Sequence, residues 1–485
     1  MMTEATARNG ATIRVDVSRN QTTSPWSARL AEVCLRFGIC PEVDPVVMVR
    51  RVSLPIRAGS VVAVVGASGV GKTSFLDVLA RRCPEARHVG AVRFPRGPAI
   101  VDAVARRQTL SNALSILTAC GLGEPRLWIR GYGELSDGER FRARLARAVS
   151  LHLRGRDPSA PLLCDEFGSI LHRRVAKAIA HNLGKLARRR GMMVVIATSH
   201  DDLARDLQPD IVVQLVGGGQ HRLTRHQPEN RPLSIARRFC VERGAKADYE
   251  VFAPMHYRHR DELGFVDRVF VLREGVGGEP LGIAVYAHGP LELNLRNRAT
   301  RGRFRRNPRR LNRELRILRR LVIHPDIRGC GVGHWLMRKT LPMAGVPCVE
   351  CLATMGRINP VFEKAGMQRI GVCAAPPGQE RLLSWLRQHG ADPLGPDFER
   401  QVRRRREIRN AVADVVRRWY QATTGVKRDR VVGQSPRLLA QTFRQLAWSR
   451  PVYYLWHRDG RRFDAATGDN PDLDGTRPSP RRQES

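Results

Sequence analysis

The segment Gly66-Ala67-Ser68-Gly69-Val70-Gly71-Lys72-Thr73-Ser74 constrains the fold more than any other part of the chain. It fits G-x-x-x-x-G-K-[ST], follows the apolar run SVVAVV and opens the helical run SFLDVLARR. In that strand–loop–helix setting the glycines let the backbone curl so that its N–H groups point inward. The helix start adds a partial positive charge, and both favour phosphate oxygens. Lys72 is expected to reach the β- and γ-phosphates of a nucleotide, and Thr73 to hold Mg²⁺. Alternating βαβ patterns continue to about residue 216, so the core around this loop is expected to be α/β.

A second apolar run, APLLCDEF (160–167), ends in Asp165-Glu166. Adjacent carboxylates at the end of a buried strand need a purpose, because burying charge is costly. Asp165 is expected to support Mg²⁺, and Glu166 to orient or deprotonate an attacking water. A third run, MMVVIATSH, ends in His200, which can contact the terminal phosphate.

Between these elements lies ELSDGERFRARLARAV, 134–149. Its LSDGE resembles the LSGGQ signature of the ABC ATPases. With GASGVGKT, LLCDEF and ATSH in the same order, the resemblance covers roughly 46–216. It implies ATP binding and hydrolysis with Glu166 and His200 as catalytic groups. It further implies that the signature residues Ser136, Asp137, Gly138 and Glu139 meet the ATP held by a second copy, so that the chain forms an ATP-dependent homodimer. Three features depart from the family. The loop after Glu166 ends Ser169-Ile170-Leu171-His172, where the family has S-x-L-D. The glutamine loop has only Asp102 or Gln108 to fill it. No aromatic residue stands out in the expected N-terminal position to stack on adenine.

The chain is 485 residues long, which calls for two or three domains. A second glycine loop, Arg328-Gly329-Cys330-Gly331-Val332-Gly333, lies between a strand and a helix. Together with the strand PCVECLATM and the segment INPVFEKAGM, it resembles the GNAT acyltransferases. The resemblance implies that residues 328–333 bind the pyrophosphate of acetyl-CoA. Phe362 stands where that family carries its general-acid tyrosine, so other groups are considered as acid or base: Glu314, Tyr286, His288, Glu350 and Cys351. Each also has an ordinary structural reading. The short run MHYRHR (255–260) resembles the entry of Mom-type GNAT-like proteins.

The formal net charge is +37, supplied almost entirely by arginine, and its natural counterpart is a polyanion. Nucleic acid is favoured over anionic lipid. The run 296–310 offers Arg305, Arg306, Arg309 and Arg310 as phosphate contacts and Phe304 as a base-stacking ring. A second basic run, QVRRRREIR, occupies 401–409. The ten cysteines are scattered, and the one C-x-x-C, Cys348/Cys351, reads as a buried strand. No apolar run approaches the roughly 18 residues of a membrane span, and MMTEATARNG lacks the apolar core of a secretory signal, so a cytoplasmic protein is expected.

The expected architecture is an ABC-type P-loop NTPase domain followed by a GNAT-like α+β domain with a helical insertion near the C-terminus. The boundaries are an N-terminal extension (1–45), the ATPase (46–216), a linker (217–249), the GNAT-like domain (250–375), a basic helical insertion (376–450), a last strand (451–458) and a disordered tail (459–485). The expected function is ATP hydrolysis coupled to acyl transfer onto nucleic acid. Two alternatives are a DNA-maintenance ATPase with a non-catalytic GNAT-like part, and a transporter ATPase subunit. A further rival is a protein or small-molecule acetyltransferase.

Overall fold

Val61–Val65 is a strand of five buried residues, and a strand buried at every position has both of its faces covered. The computed structural model describes residues 12–19, 25–38, 46–55, 57–155, 157, 159–227, 229, 231–256, 263–375, 378–424 and 433–464. The chain opens with β1 (Thr12–Arg19), α1 (Ala28–Phe37) and β2 (Val46–Pro55). Next come β3 (Val61–Val65), α2 (Lys72–Arg82), β4 (Arg87–His88), α3 (Ile100–Ala105), α4 (Leu110–Ala119), α5 (Pro125–Trp128) and α6 (Asp137–His152). Then follow β5 (Pro161–Cys164), α7 (Arg173–Arg190), β6 (Met193–Thr198), α8 (Asp201–Leu207), β7 (Ile211–Gly217) and β8 (Gln220–Arg225).

The first sheet has the order β4-β5-β6-β3-β7-β8, parallel except for β8. One face packs on α2 and the antiparallel β1–β2 ribbon, through Val15, Val52, Phe75 and Leu79. The other face carries α4, α6 and α7, through Leu117, Leu145, Ile179 and Leu183.

The second sheet begins with β9 (Phe239–Gly244), α9 (Tyr249–Phe252), β10 (Val266–Glu274) and β11 (Pro280–Ala287). It continues through α10 (Asn294–Ala299), α11 (Pro308–Glu314), β12 (Leu315–Ile323), α12 (Val332–Thr340), β13 (Cys348–Ala353), α13 (Val361–Lys364) and β14 (Gln368–Val372). Four helices follow: α14 (Gln379–Gln388), α15 (Phe398–Arg404), α16 (Arg406–Thr424) and α17 (Pro436–Trp448). The last strand is β15 (Val452–His457). β15 inserts between β13 and β14, giving the order β14-β15-β13-β12-β11-β10-β9. Its one parallel pair is β12–β13, held at Leu315–Ile317. The helices α14–α17 close around a core of their own, with Leu386, Phe398, Val412 and Phe443.

The segment 217–249, expected as a linker from its Gly, Pro and polar content, is largely built into the two sheets: β8 pairs with β7 and β9 with β10. Glycine at 217–219 marked a turn rather than a break, since all three have positive φ. Residues 1–11 and 465–485 lie outside the described residues, as does most of MHYRHR. No described helix is long and apolar enough to cross a membrane.

Candidate functional site

The sheet order places three chain turns side by side. β5, β6 and β3 are adjacent and parallel, with Cys164 paired to Ile196 and Val65 paired to Thr198. The loops leaving their C-terminal ends carry Asp165-Glu166, His200 and the 66–74 segment. That shared edge is where parallel α/β sheets bind ligands.

The backbone of the 66–74 loop is curled in the way the sequence predicts. Gly66, Gly69 and Gly71 all have positive φ, at 153°, 79° and 105°. A Cβ on Gly66 would stand 2.5 Å from the Leu215 carbonyl oxygen, and one on Gly71 would stand 3.0 Å from Met48 Cβ. Gly71 caps α2, so the loop ends on a helix N-terminus. Lys72 Nζ donates to the Gly66 and Ala67 carbonyls at 2.8 and 2.7 Å, which holds the ammonium across the loop mouth. Thr73 is exposed at the first turn of α2. The curled backbone, the absent Cβ atoms and the ammonium fit a nucleotide's phosphates. Thr73 and the half-buried Asp165 supply the hard oxygen ligands that Mg²⁺ takes.

The Glu166 loop is fixed from two sides. Glu166 lies in the left-handed region, φ 47°, and its N–H donates to Asp165 Oδ1 at 2.9 Å. The next residue, Phe167, donates its N–H to the Ala197 carbonyl and accepts from the Thr198 hydroxyl, both at 2.9 Å. Thr198 Oγ1 also accepts from the His200 N–H at 3.2 Å. A Cβ on Gly168 would come within 3.9 Å of His200 Cδ2. Glu166 and His200 are thus carried by one tied unit at the ends of β5 and β6.

Ser136 is the N-cap of α6, in a reciprocal capping box with Glu139: the Ser136 N–H donates to Glu139 Oε2 at 2.8 Å. Ser136 and Asp137 are exposed, and Gly138 packs near Ile170 and Leu171. The two residues considered for the glutamine loop diverge: Asp102 is exposed on α3, whereas Gln108 donates to Ser150 Oγ at 2.9 Å and so braces α6.

The most consequential contact was not anticipated. α7 starts one residue after the Glu166 loop ends at His172, and its face docks on the second sheet. Arg174, only 14% exposed at its side chain, pairs with Glu279 at 2.6 Å and Glu274 at 3.1 Å, flanking the β10–β11 turn. Its hydrogen bond holds the Glu279 carboxyl below the usual carboxylate range. One turn on, the Ala178 carbonyl accepts from Cys330 Sγ at 3.7 Å. A turn further, Asn182 Nδ2 donates to the Arg328 carbonyl at 3.4 Å. Spacing by four puts Arg174, Ala178 and Asn182 on one helical face. His172 Nδ1 lies 3.9 Å from Asp326 Oδ2. From α8, Asp206 accepts the Ser234 N–H at 2.6 Å and its hydroxyl at 2.7 Å.

This docking changes the reading of residues 328–333. The Arg328 guanidinium is committed to three carbonyls, Ile323 and Met255 at 2.8 Å and Gly123 at 3.1 Å. Gly329 lies against Thr118 and Asn182, Cys330 against α7, and Val332 is buried in the core. Gly331 caps α12, and Gly333 packs near Val361. The first half of this loop is therefore an interdomain contact. A missing Cβ admits a phosphate and a neighbouring helix equally well, which a sequence cannot distinguish.

Other expected site residues are corrected by burial. Phe304 is 1% exposed and packs with Leu311 and Tyr453, so it cannot stack on a base. Tyr286 is fully buried and bonds Thr340 at 2.7 Å. Cys351 is buried, and Glu314 is held by Arg303 at 2.8 Å and Arg310 at 3.7 Å. Arg305, Arg306 and Arg309 are exposed. Glu350 is fully buried, paired with Arg296 at 3.2 Å and accepting from Tyr453 Oη at 2.7 Å. Burial raises its pKa. Phe362 stacks on Tyr454, centroids 4.9 Å apart, and Tyr454 Oη donates to Glu363 Oε1 at 2.9 Å.

No family model matches the chain. It is 30% identical over 210 residues to the lipoprotein-releasing system ATP-binding protein LolD of Myxococcus xanthus, covering 35% of this chain and 88% of the relative. It is also 30% identical over 240 residues to the aliphatic sulfonates import ATP-binding protein SsuB 2 of Paracoccus denitrificans, covering 45% and 91%. A solved dimer of an ATP-binding cassette in a post-hydrolysis state aligns at 18% identity and a TM-score of 0.32, covering 44% of this chain and 98% of the other.

Proposed function

Because the chain belongs to the ABC-type ATPase family through its nucleotide-binding part, we propose that it is an ATP-driven machine whose output is delivered, through α7, to the C-terminal domain. The observation that carries this reading is the direct succession of Glu166 loop, α7 and second sheet in one packed unit. Bound ATP supplies the phosphoanhydride to be cleaved, and Mg²⁺ offsets its charge. Lys72 exchanges the Gly66 and Ala67 carbonyls for phosphate oxygens. Glu166 positions a water and takes up its proton, and His200 steadies the terminal phosphate. The exposed Ser136 and Asp137 at the N-terminus of α6 reach the nucleotide of a second copy, giving a head-to-tail homodimer.

For the C-terminal domain we favour acyl transfer from a coenzyme A thioester to an amino group on nucleic acid. The succession β12, glycine loop, α12, β13, α13 and β14, with β15 returning after four helices, supports the GNAT-like reading. The loop of residues 328–333 is freed for a coenzyme A pyrophosphate only when α7 moves, which ties transfer to the ATPase cycle. A second reading, a transporter ATPase subunit, is favoured by the names of the relatives, ATP-binding proteins of a lipoprotein-releasing system and of aliphatic sulfonates import. The test measures acetyl-CoA binding and the modified-nucleoside content of cells carrying wild type, Lys72→Ala and Gly331→Glu. A modified base lost in both variants supports coupling. Absence of acetyl-CoA binding, together with copurification of a membrane protein, supports the transporter reading instead.

A further inference from the structure

A groove of about 1240 Å³ lies in the second domain at the end of β9, the start of β10, the end of β11 and the first half of β12. Arg243, Lys246 and Arg319 line it, together with Phe265, His288 and Asn312. Among the described residues its one lining carboxylate, Asp267, is already engaged by Arg316 at 2.9 Å and Arg268 at 3.5 Å, so the described lining carries net positive charge. Arg243 and Lys246 are exposed on the turn that ends β9. Phe265 is 84% exposed beside them, its ring face open to a ligand in the groove. His288 Nδ1 lies 3.2 Å from Asn312 Oδ1, which puts two hydrogen-bonding side chains at one end.

The wall behind this pair is built with care. At Gly289 a Cβ would stand 2.7 Å from Glu350 Oε1, so the groove wall is one backbone thick over the buried ion pair. Arg296, wholly buried and paired to Glu350, donates its Nη2 to the Pro290 and Leu291 carbonyls at 2.8 and 2.7 Å. A charge pair withdrawn from water is a costly way to hold a surface loop, and its return is a fixed loop conformation. Leu291 leads into Glu292, whose Oε1 accepts the Arg306 N–H at 3.1 Å, so the exposed Arg305 and Arg306 continue from the same rim.

We propose that this groove binds a single strand of nucleic acid, with Arg243, Lys246 and Arg319 on its phosphates, Phe265 stacked on a base, and His288 and Asn312 against a base edge. Cations that track a backbone beside an exposed aromatic ring form the combination that single strands use. A concave groove with a fixed rim suits a strand better than the flat surface of an anionic bilayer. The assignment rests on the nucleic-acid part of the function proposed above and is independent of acyl transfer.

The test is fluorescence anisotropy of the full-length protein with labelled single-stranded DNA and RNA of about 12 nucleotides and with a duplex, over about 50 to 200 mM salt. Thermal unfolding verifies that each variant is folded. Phe265→Ala is expected to weaken single-strand binding at least about fivefold. Arg243→Ala/Lys246→Ala is expected to lower the salt slope by about one per cation. Arg222→Ala/Arg225→Ala, exposed on the edge strand β8 of the first sheet, controls for the general basicity of the chain and is expected to change affinity less than twofold, on the order of a rim charge. Wild type that binds no oligonucleotide overturns the nucleic-acid reading itself. Wild type that binds but matches the groove variants, or loses equally in the control, overturns only the groove. Groove variants that lose binding to phosphatidylserine vesicles, in a protein indifferent to oligonucleotides, would assign the surface to a membrane instead.

Discussion

Two side chains carry the proposed chemistry. Lys72 is already parked on the carbonyls of Gly66 and Ala67, within the loop whose phosphate it is proposed to bind. Replacing Glu166 by Gln keeps the loop's shape but removes the proton acceptor, so ATP hydrolysis is expected to fall by about 10²- to 10⁴-fold while ATP binding persists. Equilibrium binding alongside single-turnover hydrolysis checks this, and equal loss of both contradicts it. Glu350 is a structural counterpart. Truncation of Glu350 to Leu leaves Arg296 charged and wholly buried, and is expected to cost roughly 3–5 kcal/mol. The double variant Arg296→Met/Glu350→Leu is expected to recover most of that loss in chemical denaturation.

At the scale of elements, α7 is the part that the sequence left unread. Its pattern VAKAIAHNLGKLA has the spacing of a core helix, and the polar His181 and Asn182 gave no sign that one face meets a second domain. The P-loop and the carboxylate strand were legible because their residues act within one strand–loop–helix unit. Docking across domains depends on distant pairs such as Arg174 with Glu279, which no local pattern encodes. The same limit explains Phe304, which sits in a run of arginines yet is drawn into the core by Tyr453 and Leu311. Arg174→Ala is expected to loosen the docking and to speed limited proteolysis between β8 and β9, with unchanged cleavage rates contradicting the coupling. His181 is buried, and among the described residues neither ring nitrogen has a hydrogen-bond partner. Burial, with Lys185 adding to it, lowers its pKa to about 4. The unfolded state then binds more protons between about pH 6.5 and 4. The stability that neutral His181 permits is present above about 6.5 and is lost as the pH falls through that window, by up to about 3 kcal/mol. A His181→Leu variant is expected to flatten this part of the stability profile, and an unaltered slope would point to another group.

For the whole molecule, the two sheets form one packed assembly in which the Glu166 loop and the second domain share α7. On the proposed reading, the exposed Ser136 and Asp137 complete the nucleotide site of a second copy. Glu166→Gln protein is therefore expected to shift from monomer to dimer on addition of ATP, as followed by light scattering, and the shift is expected to vanish with a second substitution, Ser136→Arg. In the same proposal, the groove around Phe265 in the C-terminal domain holds what that cycle acts on. All of this depends on the nucleotide site. Its most direct measurement is phosphate release from ATP and magnesium by purified wild type, Lys72→Ala and Glu166→Gln proteins. Turnover by wild type, with loss of binding in the first variant and of hydrolysis alone in the second, is the predicted result. Wild-type protein that neither retains nor cleaves ATP, or variants that turn over at the wild-type rate, would contradict it.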